Sequence, residues 1–377
     1  AKAAEEAAEL AAQEEAGKER ERRKAAALAE QERIDAAIAA ALATAAAQGT
    51  DAGAAIPSAG APGRGFGVDW SGSPERLVTL FYPGQTSMEW TLVGKYHGGA
   101  RPFQAGDRCT TCHDRETAAM GAKMVSGDKA ETQPIPGKRP GIPVTVQAAH
   151  DSDNLYLRFQ WEDTEHVPVP FVEGGRMDPD NPVKLAVMFA TDEVQYASQA
   201  GCWGTCHEDL RGMPGHPEDP AAAGLDLDLA QGVSKYIAAS RTEIEEKGRR
   251  GKKLGGWDKL EDSAAIQAEL ENGQFMDLLR VNSDGSTEDG HVLAQRVMQG
   301  GQGFQASISN EAGYWTATLR RPLKSDAPGD LDLEPGKIYN FGFAIHDDYS
   351  DARFHHVSLG YRLGLDSPDA EINAVGQ

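Results

Sequence analysis

The sequence has no apolar run long enough to cross a membrane, and only four cysteines among 377 residues. A membrane-spanning helix needs about 20 predominantly apolar residues. Basic residues are also scarce, since 37 Lys and Arg stand against 58 Asp and Glu and give a formal net charge of −21. Such a chain lacks the basic face that binding to a phosphate backbone requires, which excludes nucleic acid as a main partner. Its field instead favours positively charged partners.

All four cysteines lie in two short segments, DRCTTCHD (residues 107–114) and GCWGTCH (residues 201–207). Cys-x-x-Cys-His is the attachment signature of c-type haem, in which two thiols bond to the porphyrin and the histidine ligates the iron. The second segment has one additional residue between its cysteines, and Gly204 allows that residue to bulge out. The sequence therefore predicts two covalently bound haem c groups. The predicted attachment and ligand residues are Cys109, Cys112 and His113 in the first segment and Cys202, Cys206 and His207 in the second.

Three other uses of the cysteines are weaker. A thioredoxin-like redox pair needs a βαβ context, whereas these flanks are rich in Gly, Asp and Arg. A zinc site shared by four cysteines leaves the two following histidines unexplained. Two disulfides across so few residues would be strained.

The N-terminal segment, residues 1–48, is rich in Ala, Glu and Arg and is predicted to form one long helix. Its few large apolar residues favour packing of its second half on a partner or on a second copy of the chain, and a merely solvated helix is the alternative. Residues 49–67, rich in Gly, Pro, Ala and Ser, are predicted to be a flexible linker.

The rest of the chain divides into a loop-rich c-type haem segment, residues 68–137, and a β-rich region, residues 138–377. Short aromatic and β-branched runs separated by turn residues predict the strands: VTLFYPG, VTVQAAH, NLYLRFQW, KLAVMFA, FQASIS, YWTATLRR, IYNFGFAIH and RFHHVSLGY. This pattern predicts a mainly β fold, an antiparallel sandwich. Two helical insertions are expected, at residues 232–247 and 257–281.

Several of these stretches together resemble a known bacterial family, that of the haem-binding γ subunits of ethylbenzene dehydrogenase and dimethylsulfide dehydrogenase. The resemblance covers residues 78–365 and is closest to the c-type branch of the family. The stretches that carry it are FYPGQTSMEW, HGGARPFQAGDRCTTCH, VQAAHDSDNLYLRFQW, AGCWGTCHEDLRGMP and AIHDDYSDARFHHVSLGYRLGL.

The resemblance implies an immunoglobulin-like sandwich that holds haem and passes electrons. The γ subunits carry a non-covalent haem b with Met and Lys ligands, and the Cys-x-x-x-Cys-His segment departs from that pattern. The resemblance does not cover the Ala-rich N-terminal helix.

Each iron also has a sixth position that His, Met or no protein ligand can fill, and that choice sets function. For the first haem, His97 lies in a Gly-rich loop that can approach a porphyrin closely. Met120 and Met124 follow the motif on a predicted helix and are the alternatives. A methionine at helical spacing is more often a packing residue, which favours His97.

For the second haem, His355 and His356 are neighbours in a predicted strand, so their side chains face opposite sides. The family motif favours His355. Met213 is the rival and would give a site of higher potential. Of the remaining histidines, His346 lies close to the same predicted sheet and is the one to inspect.

Two weaker patterns concern possible ligands around these motifs. Asp151, Asp153 and Asn154 are better explained by a turn before a strand than by calcium, because the rest of an EF-hand loop is missing. Arg101, Arg108 and Arg211 lie near the haem motifs and suit propionate carboxylates, although surface arginines have the same appearance in a sequence.

The expected function is that of an exported dihaem c-type cytochrome that transfers electrons between redox partner proteins. Covalent haem attachment takes place outside the bacterial cytoplasm, which predicts a periplasmic or cell-surface protein. The sequence begins at Ala1 without Met, so an export signal or membrane anchor ahead of residue 1 is compatible with this prediction. Two alternatives stay open: a haem enzyme of the reductase or peroxidase type with one open iron, and a haem conduit assembled through residues 1–48.

Overall fold

The structure is a computed structural model that describes residues 18, 66–84, 86, 91, 94, 97–129, 131, 134–166, 178–205, 237–243, 257–350 and 354–377. The predicted helix over residues 1–48 and the linker over 49–67 fall, apart from Lys18, Phe66 and Gly67, outside these ranges. Within them, no helix has the length and apolar character needed to span a membrane.

The described helices are short and precede or interrupt the strands. They are α1 (Ala100–Gln104), α2 (Cys109–His113), α3 (Thr117–Val125), α4 (Ala197–Thr205) and α5 (Ser263–Glu271). The described strands are β1 (Arg76–Phe81), β2 (Gly141–His150), β3 (Asn154–Glu162), β4 (Lys184–Ala190), β5 (Arg241–Glu243), β6 (Trp257–Leu260), β7 (Met276–Asn282), β8 (Thr287–Val292), β9 (Arg296–Val297), β10 (Gln305–Glu311), β11 (Tyr314–Pro322), β12 (Ile338–His346), β13 (His356–Val357), β14 (Tyr361–Leu365) and β15 (Ile372–Gly376).

Thirteen of these strands form one sheet in the order β10-β11-β3-β2-β1-β13-β12-β4-β7-β8-β9, with β14 and β15 beside it. The strand β2 pairs with β1 along residues 141–146 and with β15 at Ala149 and His150, on the same edge. The strand β12 likewise pairs with β14 near its start and with β13 near its end. Because β14 also pairs with β15, two strands stand between β2 and β12 at each end of the sheet. They are β1 and β13 at one end and β15 and β14 at the other.

The sheet folds over so that its two halves face each other. The ring of Phe159 on β3 lies against the ring of Phe343 on β12, with centroids 5.0 Å apart. Arg321 on β11 forms a buried ion pair with Asp277 on β7. Strands covered on both faces are buried along nearly their whole length, as in β4, whereas the edge strand β10 has no buried residue. The predicted antiparallel β-sandwich is confirmed, and among the described strands only the pairings of β15 are parallel.

The helical insertion predicted at residues 257–281 is wrong over most of its length. Residues 257–260 form β6, and α5 begins only after Asp262, whose side chain accepts hydrogen bonds from the backbone N–H groups of Ala264 and Ala265. The helix ends at Glu271, and Gly273, two residues further on, has a φ of 76°. The following apolar run is the buried strand β7, because a short apolar run does not distinguish a buried strand from a buried helix.

Two other local predictions need correction. In the helix predicted at 232–247, the described residues 237–243 form a 3₁₀ turn followed by β5. The strand predicted over RFHHVSLGY is broken into β13 and β14. At the break, Ser358 exchanges two hydrogen bonds with the backbone of Phe343, and Gly360 lies against the backbone of Gly201.

Candidate haem-binding site

The first cysteine motif forms the short helix α2, which places Cys109, Cys112 and His113 on one helical face. Cys109 is buried against the core of the sandwich and Cys112 is exposed. Burial raises the pKa of the Cys109 thiol to about 12. A redox-active pair would instead need a lowered thiol pKa, so the geometry does not favour the thioredoxin-like alternative.

The N-terminal end of α2 is tied to the second motif's helix by Arg108. Its Nε donates to the carbonyl oxygen of Ser198 in α4 at 3.2 Å, and its Nη2 donates to the carbonyl oxygen of Gly360 at 2.8 Å. The guanidinium also forms an ion pair with Glu371. These contacts occupy Arg108 in fixing the helix, and they bring α2 and α4 into contact.

The C-terminal end of α2 is held by Asp114. Its carboxylate accepts hydrogen bonds from Arg76 of β1 at 3.2 Å and from the hydroxyl of Tyr361 in β14 at 3.0 Å. The strands β1 and β14 therefore position the helix from the sheet. Loss of either anchor would let the motif rotate relative to the loop that carries His97.

His97 and His113 face each other across a gap. His113 Nδ1 lies 3.3 Å from the carboxylate of Glu116, and His97 Nδ1 lies 3.0 Å from the carbonyl oxygen of Thr91. Both partners can only accept, so each Nδ1 is the donor in its contact, and Nε2 is the ring nitrogen left for another partner. Metal-ligating histidines are oriented in this same way, by donating their second N–H to a carboxylate or carbonyl oxygen.

The spacing of the two rings fits ligation of one iron from opposite sides. Their centroids are 6.1 Å apart and their planes are inclined by 35°. A histidine–metal bond is about 2 Å long and the ring centroid lies about 1 Å behind the nitrogen, so two opposed ligands have centroids about 6 Å apart. Gly99 leaves room for this arrangement, since a Cβ there would lie 2.9 Å from the His97 ring.

The two methionine alternatives for the first site face the protein interior. Met120 packs against the main core and Met124 packs against a smaller buried cluster around Tyr82. The sulfur of Met124 also lies 3.9 Å from the hydroxyl of Thr86. Both side chains therefore act in packing where the structure describes them.

The second motif begins at a close approach of two glycines. Gly201 has a φ of 64° inside α4, and a Cβ on it would lie 2.4 Å from the Cα of Gly360. The next described side chain, Trp203, is buried and packs edge-to-face on Phe81, with centroids 5.7 Å apart. Trp203 thus belongs to the core, and the motif starts directly beside β1 and β14.

The remainder of the second motif lies beyond the described residues. The structure gives the backbone of Cys202 as part of α4, while Cys206, His207 and the rival ligand Met213 fall in the range 206–236. Arg211 falls there as well.

The candidates His355 and His356 point to opposite sides of the sheet. The ring of His355 stacks on the ring of His346, with centroids 4.4 Å apart. His356 is fully buried and its Nε2 donates to the carbonyl oxygen of Arg139 at 2.8 Å. Burial lowers the pKa of His356 to about 3, so this ring is neutral and its Nε2 is already used.

The side of the sheet that carries His355 and His346 also carries small residues. Ala344 pairs with Val357 of β13 and with Ala186 of β4, and Val357 pairs in turn with Phe81, whose ring contacts Trp203. A row of small side chains therefore runs across β12 and β4 next to the second motif.

One cluster near the site was not found by reasoning from the sequence. Lys138 pairs with Asp348 at 2.7 Å, and Arg139 pairs with Asp347 at 2.8 Å. His166 Nδ1 lies 3.0 Å from Asp347, which raises the pKa of His166 to about 9. The adjacent acidic pair in AIHDDYSD was the available signal, because two consecutive aspartates next to a buried strand need cationic partners.

The predicted turn at Asp151 is confirmed. Its Oδ1 accepts the backbone N–H of Asp153 at 2.8 Å and that of Asn154 at 2.7 Å. These bonds within one turn are sufficient to explain the acidic residues there.

Comparison with known proteins gives one family and two named cytochromes. The model of the family described as "Ethylbenzene dehydrogenase" matches residues 115–358. The chain is 40% identical over 314 residues to "Cytochrome c-552" of Stutzerimonas stutzeri, covering 82% of this chain and 91% of that protein. It is 30% identical over 310 residues to "Cytochrome c-551" of Rhodocyclus tenuis, covering 82% of this chain and 99% of that protein.

Among solved structures, the chain is similar to a carbohydrate binding module family 9 protein from Caldicellulosiruptor kristjanssonii in complex with cellotriose. The TM-score is 0.25 at 7% identity, with 58% of this chain and 65% of that chain covered. A TM-score this low bears on neither fold nor function.

Proposed function

Because the chain belongs to the ethylbenzene dehydrogenase family and is a c-type cytochrome of electron transfer, we propose that it is an exported dihaem carrier. The observation that carries the proposal is the first site, where two cysteines and two opposed histidines meet. Haem, when bound there, supplies an iron that changes between ferric and ferrous and so holds one electron. The chain's own residues attach and orient this group.

At the first site, Cys109 and Cys112 are the proposed attachment thiols and His113 is the proposed proximal ligand. His97 is the proposed sixth ligand, supported by its Nδ1 bond to Thr91 and the 6.1 Å spacing of the rings. With His113 and His97 as its two protein ligands, the iron would have no position left for a substrate, which suits electron transfer.

At the second site, Cys202, Cys206 and His207 are proposed to hold the second haem. His355 is the proposed sixth ligand, because it shares a sheet side with the row of small residues beside Trp203. His356 is set aside, since its Nε2 already donates to Arg139. Met213 stays the rival.

The contact between α2 and α4 supports transfer between the two proposed haems. Arg108 precedes Cys109 directly, and its guanidinium reaches Ser198, four residues before Cys202. The two attachment motifs therefore start on neighbouring helices, which a pair of haems exchanging electrons would need.

Export is proposed from the chemistry of attachment, since haem is joined to Cys-x-x-Cys-His motifs outside the bacterial cytoplasm. The proposed partners are redox proteins with positively charged docking faces, because the chain carries a net charge of −21. Fractionation of cells that produce the full-length gene product tests the location. Haem-staining protein in the cytoplasmic fraction would remove this part of the proposal.

Haem stoichiometry tests the dihaem proposal. The intact mass of the purified protein should exceed the polypeptide mass by two haems, and a pyridine haemochrome assay should give two haems per chain. The variants Cys109→Ala/Cys112→Ala and Cys202→Ala/Cys206→Ala should each retain one covalent haem. A wild-type chain with a single haem would contradict the proposal.

Low-temperature EPR of the oxidised protein separates a carrier from an enzyme. Two low-spin ferric signals mean that both irons are closed by protein ligands. A high-spin signal that changes on addition of cyanide or azide would mean an open iron and would favour the reductase or peroxidase alternative.

A further inference from the structure

Three carboxylates from three separate segments of the sandwich converge. Asp277 lies on β7, Asp289 on β8 and Asp330 in the connection between β11 and β12. One side-chain oxygen from each residue lies within 4.8 Å of the other two. The cluster is distinct from the proposed haem sites and does not depend on them.

The protein holds one oxygen of each carboxylate, in every case Oδ2. Asp277 accepts hydrogen bonds from the Leu331 N–H at 2.8 Å and from the Arg321 guanidinium. Asp289 accepts one from the Gly303 N–H at 2.7 Å. Asp330 accepts one from the Gln302 N–H at 2.9 Å and one from the Ser325 hydroxyl at 2.7 Å. Loop residues thus orient all three groups.

The other oxygen, Oδ1, is buried in all three residues and receives no hydrogen bond from any residue that the structure describes. Asp277 is 0% exposed, so its Oδ1 has no access to solvent. A buried charged oxygen without a partner costs several kcal/mol, and one such atom would already need an explanation. Three such Oδ1 atoms together, in side chains whose Oδ2 atoms are held by the protein, indicate that a partner common to all three is missing.

The charges indicate the sign of that partner. Burial, opposed only in part by Arg321, raises the pKa of Asp277 to about 7. Burial and the charge of Asp330 raise the pKa of Asp289 to about 6. When all three carboxyls are ionised, they and one guanidinium leave two negative charges in the cluster, which one divalent cation would neutralise.

We propose that Asp277, Asp289 and Asp330 bind one divalent cation of the calcium class through their Oδ1 atoms. The converging atoms are all carboxylate oxygens, the ligands of hard cations, and calcium accepts them at about 2.3–2.6 Å in a flexible geometry. The nitrogens of the nearby His291 are not among them, which argues against zinc. The cation would join the β7–β8 hairpin to the loops at 298–304 and 323–337.

Close approach of the loops is built into the chain around this site. A Cβ at Gly301 would lie 2.4 Å from Asp289 Oδ1, and a Cβ at Gly329 would lie 2.3 Å from Nδ1 of His291. Only glycine allows these two loops to reach the hairpin. Calcium sites of about 10⁻⁴–10⁻³ M affinity are typical of extracellular modules, and this expected range rests on the proposed export of the chain.

Calcium binding to the purified, haem-loaded full chain tests the proposal. After treatment with EGTA and removal of the chelator, titration calorimetry with calcium chloride should show one site per chain, and the thermal unfolding midpoint should rise by several degrees. Magnesium chloride and zinc chloride serve as comparison ions. Neither heat nor a change in midpoint with calcium well above about 1 mM would overturn the proposal and leave the cluster as carboxylates that share protons.

Two variants locate the site. Asp330→Asn should weaken calcium binding at least tenfold and abolish the calcium-dependent rise in unfolding temperature. Asp326→Asn, an exposed aspartate in the same loop, should leave both unchanged. Equal calcium binding by wild type and Asp330→Asn would place the ion elsewhere on the acidic surface and overturn the assignment. Should Asp330→Asn fail to fold, Asp289→Asn replaces it, and the wild-type titration still decides.

Discussion

At the scale of single residues, His97 is the side chain proposed to decide what the first iron can do. Its Nδ1 lies 3.0 Å from the carbonyl oxygen of Thr91 and its ring centroid lies 6.1 Å from that of His113, so as a ligand it would close a position that an enzyme would leave open. The sequence alone placed His97 in a Gly-rich loop upstream of the motif. The distance between the two rings follows from the fold of residues 97–113 and was not available from spacing.

Replacement of His97 by Ala should leave the first iron with one protein ligand. A high-spin ferric EPR signal should replace one of the low-spin signals, and added imidazole should restore the low-spin signal. His97→Met should keep a low-spin iron and raise the midpoint potential, because a thioether ligand favours the ferrous state. The matched control is Met120→Leu, which should leave spectrum and potential unchanged. A low-spin spectrum in His97→Ala without imidazole would exclude His97 as a ligand.

His166 is a second residue whose behaviour follows from its neighbours. The carboxylates of Asp347 and Asp348, 3.0 and 3.8 Å from its Nδ1, and the nearby charge of Asp163 raise the pKa of His166 to about 9. Lys138 and Arg139 face the same two aspartates, so the cluster is balanced by protein cations. It therefore needs no metal ion.

The stabilising effect of His166 should depend on pH. Because the folded state raises its pKa above the unfolded value of 6.5, the contribution is complete below about pH 6.5 and is lost as pH rises through about 9. His166→Gln should lower the free energy of unfolding by roughly 1–2 kcal/mol at pH 6, after allowance for solvent screening. Urea denaturation at pH 6 and 9.5 measures the difference, which should shrink at the higher pH. A difference that stays constant would contradict the assigned cause.

At the scale of elements, the contact between Gly201 and Gly360 joins α4 to the start of β14. Each glycine has the other's backbone where a Cβ would lie, so the second motif can sit against the sheet only with two glycines. The same contact explains why the strand predicted over RFHHVSLGY breaks. A one-dimensional pattern of apolar residues cannot report that another backbone must pass at this point.

Gly201→Ala should destabilise the fold by roughly 2–4 kcal/mol, since it adds steric overlap with Gly360 to the strain of a positive φ. Haem content at the second motif should fall more than at the first. Gly273→Ala is the matched control, because Gly273 has a φ of 76° but open space around its Cβ position. Gly273→Ala should lower the free energy of unfolding by only about 1–2 kcal/mol. Equal losses in the two variants would show that the contact is unimportant.

Elements with a clear period or a clear turn signal were predictable, and elements fixed by tertiary contacts were not. NLYLRFQW and YWTATLRR alternate and are bounded by turns, and they form β3 and β11. The sequence predicts helix over the mostly buried β7, because its apolar run has no period of two. The motif residues of the first site were read directly from Cys-x-x-Cys-His, whereas the role of Arg108 in joining two helices required the fold.

At the scale of the whole molecule, the charge of −21 should govern encounters with redox partners. Reduction of the oxidised protein by a cationic reagent such as hexaammineruthenium(II) should slow as ionic strength rises from about 0.01 to 0.15 M, because the Debye length shortens from about 30 to 8 Å. Reduction by the anionic dithionite should accelerate over the same range. Stopped-flow absorbance measures both rates. Salt dependence of the same sign for both reagents would show that the field at the haem edges does not follow the net charge.

The shared position of β1 and β15 has a topological consequence. Gln377 exchanges two side-chain hydrogen bonds with the backbone of Asp69, at 2.7 and 3.0 Å, so the described region starts and finishes at one point on the surface. A chain circularly permuted by joining Gln377 to Ala1 and opened between Ala312 and Gly313, in the exposed turn of the β10–β11 hairpin, should keep the pairings of β1 and β15 and bind the same number of haems. The order in which strands are synthesised would then change while their neighbours stay the same. Haem content and thermal unfolding of the permutant, compared with those of the parent, decide whether the fold depends on that order.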